Sequence, residues 1–150
     1  MIYKTEDIIS AAKRGDFNVL VHQCNCFNTF GAGVARAIKK EFPEAYEADL
    51  CTIKGDKNKL GLLTYTYIEK YDLYIFNLYG QYHYSRSNIA TDYNALDSAL
   101  SLMVGILASL DSVKIGAVKL GCGLGGGDWS KVLPLMEHHL SSFDVTIYDL

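Results

Sequence analysis

A chain of 150 residues, 49% of them hydrophobic, is long enough to bury a core without disulfides or a structural metal. Seventeen acidic residues against fourteen basic ones leave a formal charge of −3 and no basic stripe, which argues against duplex nucleic acid as the main ligand. No apolar run approaches the ~20 residues of a membrane span, and Met1–Asp7 lacks a cationic start followed by an apolar stretch, so the expectation is one cytoplasmic domain over residues 1–150 without a membrane partner.

In chain order, Met1–Lys4 reads as a short strand and Glu6–Lys13 as a helix, with Thr5 as N-cap and an end near Arg14-Gly15. The apolar run Val19-Leu20-Val21 reads as a buried strand that delivers His22, Gln23, Cys24 and Asn25 to its C-terminal end. A short loop leads to Gly31-Ala32-Gly33, which opens an amphipathic helix to Glu41; Pro43 opens a second helical piece over Glu44–Asp49. Leu62–Glu69 alternates as a strand, and Asp72–Tyr79 reads as its neighbour with Leu73, Ile75 and Asn77 on one face. After the loop Gly80–Asn88 comes a long helix, about Thr91–Leu110. A strand at Val113–Leu120, a helix at Trp129–Leu140 and a last strand at Val145–Leu150 follow. Six strands with interleaved helices predict an α/β fold in which helices cover both faces of a mixed sheet.

Two glycine-rich loops follow strands and precede helices: Gly31-Ala32-Gly33, and Gly121-Cys122-Gly123-Leu124-Gly125-Gly126-Gly127. Backbone N–H groups at a helix start point at an anion, and the missing Cβ atoms let the main chain approach it. Two such loops in one small chain suggest a diphosphate held between them. A NAD-binding fold is disfavoured because Gly31-Ala32-Gly33-Val34-Ala35-Arg36 lacks the third glycine of G-x-G-x-x-G. Cysteines 24, 26, 51 and 122 offer no second pair or close His to complete a tetrahedral site, so reduced thiols and no metal are expected. Cys122 lies within the second loop, where a nucleophilic role would need a neighbouring His or cation.

Glu6-Asp7-Ile8, Val21-His22-Gln23-Cys24-Asn25, Gly31-Ala32-Gly33-Val34-Ala35 and Gly121–Gly126 ahead of Trp129, with Val145–Tyr148 as last strand, together resemble the macrodomain. This family is the ADP-ribose-binding module, a three-layer α/β/α sandwich around a mostly parallel sheet. The resemblance is to the branch of ADP-ribose-1″-phosphate phosphatases and terminal ADP-ribosyl-protein glycohydrolases. It implies that Asp7 accepts from the adenine amino group while the Ile8 amide meets a ring nitrogen, and that Asn25 hydrogen-bonds the distal ribose. It implies that Gly31, Gly33 and Val34 form one wall over the diphosphate and that Gly123, Leu124, Gly125 and Gly126 form the other. Alternatives stand beside these roles: Asp7 as a first-turn acid on the helix dipole, and Asn25 as a residue that closes a turn.

His22 is the leading candidate for general acid–base catalysis, since it stands where the strand gives way to the loop and its ordinary pKa suits neutral pH. A structural histidine bonded to a neighbouring backbone group is the competing reading. Asp128 reads first as the N-cap of the Trp129 helix and second as a catalytic carboxylate; Trp129 reads as core. Glycohydrolases of this branch use a Lys and an Asp where this chain has Gln81 and Gly125. Gln cannot form a Schiff base, so the lysine-adduct route is not expected, and the resemblance then points to a water held between the ligand's diphosphate and distal ribose. Tyr82, His83, Tyr84 and Arg86 are candidates to act near the ribose or a terminal phosphate. The expected partner is ADP-ribose or a close derivative, with an ADP-ribosylated protein or nucleic acid as the extended substrate. No cofactor is expected. The activity is hydrolysis, or alternatively binding without turnover.

Overall fold

The computed structural model describes residues 1–84 and 90–149. The elements run β1 (Ile2–Thr5), α1 (Ile8–Arg14), β2 (Val19–Cys24), α2 (Gly33–Glu41), α3 (Pro43–Leu50), β3 (Leu63–Ile68), β4 (Leu73–Tyr79), α4 (Tyr93–Leu107), β5 (Lys114–Ala117), α5 (Trp129–Leu140) and β6 (Asp144–Asp149). The sheet order is β1-β6-β5-β2-β4-β3, parallel throughout except for β3, which pairs antiparallel with β4. A parallel sheet must be covered on both faces. Leu20, Cys24, Leu73, Ile75 and Tyr79 pack on one side with Ile9, Ile38 and Ala45 of α1, α2 and α3. Val19, Val21, Phe76, Leu78 and Ile115 pack on the other with Leu96, Leu100, Met103 and Met136 of α4 and α5. The expected α/β/α sandwich is thus the observed one.

Several local expectations need correction. Thr5 ends β1, and the N-cap of α1 is Asp7, whose Oδ2 accepts from Ser10 N–H at 3.1 Å and Ser10 Oγ at 2.8 Å. The strand expected over Val113–Leu120 is shorter: β5 stops at Ala117 because the chain leaves the sheet there to build the second glycine loop. Trp129 is half-buried rather than core, edge-on to Tyr3 at 6.5 Å with Lys119 Nζ 5.7 Å above its ring.

Parallel strands place all their C-terminal ends along one edge of the sheet, where the connections to the helices open a crevice. Here β1, β6, β5, β2 and β4 all end on that edge, so the loops after them face one another.

Candidate functional site

A cavity of ≈ 830 Å³ runs along this edge, a volume in the range of small-molecule sites. At its β1/β6 end it is lined by Asp7, Ile8, Lys119, Tyr148 and Asp149, and at its β2/β4 end by Gln23, Asn25, Thr29, Gln81 and Tyr84. Between them stand Gly31, Gly33 and Val34 on one side and Gly121, Gly123, Leu124 and Gly125 on the other. A Cβ added at Gly33 would lie 3.9 Å from Leu124 Cδ1, which shows how directly the two loops face each other. Three strand spacings separate β6 from β4, so the cavity extends about 14 Å across the sheet. An elongated ligand with a charged middle matches that layout.

The first loop feeds α2, whose cap residue Ala32 makes no side-chain hydrogen bond to the helix start and whose first turn carries no acid. The helix therefore presents its N-terminal amides without a competing carboxylate. Gly33 has φ +59, a conformation that favours glycine. In the second loop the carbonyls of Gly121, Gly123 and Gly125 are hydrogen-bonded within the protein. Gly121 C=O accepts Gly127 N–H at 2.7 Å and the Thr91 hydroxyl at 2.8 Å. Gly123 C=O accepts Gly126 N–H at 3.0 Å, and Gly125 C=O accepts the N–H groups of Ala90 and Thr91 at 2.9 and 3.1 Å. Tying the carbonyls into the protein keeps their negative ends away from an anion in the cavity.

Thr91 and Gln23 were not legible as site residues from motif spacing, yet they brace this loop. Gln23 Nε2 donates to Thr91 Oγ1 at 3.0 Å and to Gln81 Oε1 at 2.9 Å. Gln81 Nε2 in turn donates to His83 C=O at 2.9 Å. Gln81 and Gly125 do meet in space: a Cβ on Gly125 would lie 3.1 Å from Gln81 Oε1, but also 2.7 Å from Gly121 O and from Thr91 Oγ1. A carboxylate side chain therefore has no room at position 125 while the loop keeps this shape.

His22 does not reach the cavity. Its ring is fully buried, edge-on to Phe30 at 5.2 Å, and shares a 2.7 Å hydrogen bond with Asn77 Oδ1. Burial pushes its pKa down to about 4, with the Asn77 bond opposing the shift. The reason is strand alternation: Leu20, His22 and Cys24 point into the α1–α3 core, whereas Gln23 points to the loops. From Asn77 the bonds continue through Thr64 Oγ1 at 3.0 Å, Tyr79 OH at 3.0 Å and Asp49 Oδ1 at 2.6 Å, a polar chain under the sheet. His22 is thus placed as a structural histidine, although its partner is the Asn77 side chain and not a neighbouring backbone group, and the expectation that its ring faces the ribose is corrected.

Asp128 is the N-cap of α5, accepting from Ser130 N–H at 2.9 Å and Ser130 Oγ at 2.8 Å; those bonds hold its carboxyl below the usual range, and it lies outside the cavity lining. Gly126 also lies outside the lining; its φ of +70 shapes the loop instead. Asn25 lines the cavity, but its amide closes a turn, donating to Thr29 Oγ1 at 2.7 Å and accepting Phe27 N–H at 2.8 Å. Cys122 lines the cavity, with burial pushing its thiol up, which opposes thiolate chemistry. Tyr84 lines the cavity while the Tyr82 hydroxyl turns away to Gly55 C=O at 2.7 Å; Arg86 lies outside the described residues.

Residues 21–136 match the Macro domain family. The chain belongs to that family. It is 33% identical over 98% of its length to an uncharacterized 17.5 kDa protein of Enterobacteria phage T4, of which it covers 94%. It is 44% identical over 55 residues to an ADP-ribose 1″-phosphate phosphatase of Meyerozyma guilliermondii, covering 35% of this macrodomain and 31% of that protein. It is 26% identical to a DNA ADP-ribosyl glycohydrolase of Mycobacterium tuberculosis, covering 90% of this chain and 39% of the relative. Among solved structures, Thermosipho africanus DarTG in complex with ADP-ribose superposes with a TM-score of 0.77 at 22% identity, over 100% of this chain and 42% of that one. The aligned stretches thus cover well under half the length of the two relatives whose names state an activity.

The Asp7 carboxylate has two duties in this macrodomain, as helix cap and as part of the cavity wall, and they separate by mutation. Asp7→Ala is expected to cost about 0.5–2 kcal/mol of stability through the lost cap, whereas Asp7→Ser keeps a capping oxygen and should unfold near the wild type. If Asp7 also accepts from the adenine, both variants lose affinity for ADP-ribose by roughly ten- to hundredfold, the worth of a charge-assisted hydrogen bond. Titration calorimetry beside thermal unfolding checks this; an Asp7→Ser protein that binds normally would place the adenine elsewhere.

Proposed function

We propose that this macrodomain binds ADP-ribose or a close derivative and hydrolyses it at the distal ribose, removing a 1″-phosphate or cleaving an ADP-ribosyl linkage, in the cytoplasm. The carrying observation is the elongated cavity whose middle is walled by two facing loops, one an uncapped helix start and the other a turn with its Gly121, Gly123 and Gly125 carbonyls hydrogen-bonded within the protein. The adenine end lies at Asp7 and Ile8, the diphosphate between Gly33 and Gly123-Leu124, and the distal ribose beside Asn25 and Gln81. Lys119, on the cavity wall at the β6 side, adds a cation within the same cleft. The names of the phosphatase and glycohydrolase relatives support hydrolysis as the class of reaction.

With His22 in the core and Asp128 capping a helix, the chain supplies orientation more than proton transfer. The hydrolytic water is then held by the substrate's own phosphate and ribose oxygens, while Gln81 and Asn25 set the ribose in place. A reader that binds without turnover is favoured by one observation, the Gln81–Gly125 pair at the place of the Lys and Asp used by related glycohydrolases. Following phosphate release from ADP-ribose-1″-phosphate and ADP-ribose release from an ADP-ribosylated carrier tests the choice; turnover of neither selects the reader.

Two expected results belong to this reading. ADP-ribose should bind at least about tenfold tighter than AMP, a difference of ~1.4 kcal/mol that one or two hydrogen bonds to the second phosphate and distal ribose can supply. Equal affinities in calorimetry would remove the diphosphate from between the loops. Borohydride added during turnover should leave no ADP-ribosyl adduct on the protein, because position 81 carries an amide; a trapped lysine seen by mass spectrometry overturns that.

A further inference from the structure

β3 is the last strand on its side of the sheet, and two hydrogen bonds fix which way its main chain points. Tyr79 N–H donates to Leu62 C=O at 3.0 Å, whereas Tyr74 N–H turns away from β3 and donates to Asn18 C=O at 2.8 Å. Main-chain groups alternate in direction along a strand, so Thr64, Thr66 and Ile68, opposite Asn77, Ile75 and Leu73, are the residues that bond to β4. Leu63, Tyr65 and Tyr67 therefore aim their N–H and C=O groups out of the sheet. Over Leu63–Ile68 the strand has no charge and no proline, the devices that usually blunt an edge; the opposite edge, β1, is four residues long and carries Lys4. The side chains of the same three residues lie on the α4 face. Tyr65 stacks there on Phe76 at 5.0 Å with 15° between planes, and Tyr67 lies on Tyr74 at 4.6 Å with its hydroxyl donating to Asp72 Oδ1 at 2.8 Å. Both rings stay almost half exposed, at 46% and 44%. At the start of the strand, Leu60, Gly61 and Leu62 form an open groove with Ala95, Ser98 and Leu102 of α4.

We propose that β3 pairs with β3 of a second copy of this chain, antiparallel about a two-fold axis at Tyr65, so that one sheet runs through both copies. In that register Tyr65 meets Tyr65, Leu63 of each copy meets Tyr67 of the other, and the outward groups make about six main-chain hydrogen bonds. The axis stands perpendicular to the sheet, so both α4 faces lie on the same side, and Tyr67 of each copy comes beside the Leu62–Leu102 groove of the other. Three features suit this strand to itself. Thr64 and Thr66 flank Tyr65, so self-pairing sets Thr against Thr on the α3 face, a favourable cross-strand pair. No charge within the strand is brought against its like. Tyr65 and Tyr67 lie flat on β4 and present ring surface, rather than the alternating pockets by which an edge strand selects a foreign peptide. One strand pair with two half-exposed rings a side is smaller than a standard interface, so the dissociation constant is expected on the order of 10–100 µM. The pairing stands apart from the ADP-ribose reading, since no residue of β3 lines the cavity.

Sedimentation and light scattering between about 1 and 500 µM read the association. The wild type should pass from monomer to dimer over that range and go no further. Tyr65→Lys and Tyr65→Glu each set like charges against one another across the axis, and each should raise the dissociation constant at least about tenfold. Mixed in equal amounts, the two variants should form a heterodimer at least about tenfold tighter than either homodimer, because position 65 of one copy faces position 65 of the other. Thermal unfolding checks that each variant is folded. Where a charged variant unfolds, Tyr65→Thr takes its place; it keeps a good strand former at the axis and should weaken the dimer at least about threefold through the lost ring. A wild type that is monomeric throughout, a dimer that these substitutions leave intact, or a mixture no tighter than its components overturns the proposal. A protein that stays monomeric yet binds an alternating Val-Thr hexapeptide also overturns it, and makes the edge a docking strand for another chain.

Discussion

Gly123→Glu should weaken ADP-ribose binding by roughly hundredfold or more without unfolding the protein. Gly123 lines the cavity, and a Cβ built there meets nothing within 4 Å, so a side chain is accommodated. The new carboxylate would stand opposite α2, where the diphosphate is proposed to lie. At about 6 Å and an effective dielectric near 20, each pair of like charges costs about 3 kcal/mol, and the ligand carries two such charges. Stability should change by no more than about 0.5 kcal/mol, as for an exposed site. Gly125 is the wrong position for this experiment, because its Cβ would collide with Gly121 O and Thr91 Oγ1 and disturb the loop itself. Calorimetry on folded Gly123→Glu decides: affinity within a few-fold of wild type would show that the anion does not lie between the loops. Added salt should recover part of the loss, since the cavity is open to solvent and the repulsion is screened.

His22→Ala should do the opposite, costing stability and sparing the site. Removing a fully buried ring that packs on Phe30 leaves a cavity and frees Asn77 Oδ1, which together cost about 3–5 kcal/mol. Affinity for ADP-ribose, and turnover per folded molecule, should stay within about twofold. The stability loss also has a pH signature. The ring's folded pKa of about 4 lies below its ordinary 6.5, so the unfolded chain binds the extra proton in that window. The wild type therefore keeps the full contribution of neutral His22 above pH 6.5 and loses it as pH falls towards 4, by up to about 3 kcal/mol. The gap in unfolding free energy between wild type and His22→Ala should accordingly narrow on acidification. A gap that is constant between pH 7 and 4.5 would mean that the ring is not held neutral. A hundredfold loss of turnover in the folded variant would return His22 to the mechanism.

The same polar chain explains why a motif residue can be structural. His22, Asn77, Thr64, Tyr79 and Asp49 lie on β2, β4, β3 and α3, and each gives its hydrogen bond to the next. The donors run in one direction from the His22 Nε2–H to Asp49 Oδ1, a buried network that defines how α3 meets the sheet and leaves Asp49 Oδ2 without a hydrogen bond among the described residues. Burial pushes the Tyr79 hydroxyl and the Asp49 carboxyl up, so both resist ionisation there.

Local chemistry in the sequence was enough to determine the order and type of the strands and main helices and the place of the two loops, though not every limit: β5 is shorter than its apolar run. Apolar runs with β-branched residues specified β2, β4 and β6, while Pro43 and the Asp128 cap marked where α3 and α5 begin; α2 and α5 have the expected limits, whereas the cap of α1 is Asp7 and not Thr5. Glycines in two loops before helices specified where an anion could approach, because no other residue leaves the main chain bare. Tertiary structure alone decided which side chains face the cavity. One residue of strand register separates Gln23, under the loops, from His22, in the core, and alternation cannot say which face of a strand with two buried faces meets the ligand. Thr91 is 34 residues from Gly125 and 30 from Gly121, so its bracing of their carbonyls depends on contacts that no local pattern encodes. Four rings likewise meet beside the cavity only because β2 and β4 are neighbours, which brings Phe27 after the one strand against Tyr82, His83 and Tyr84 after the other.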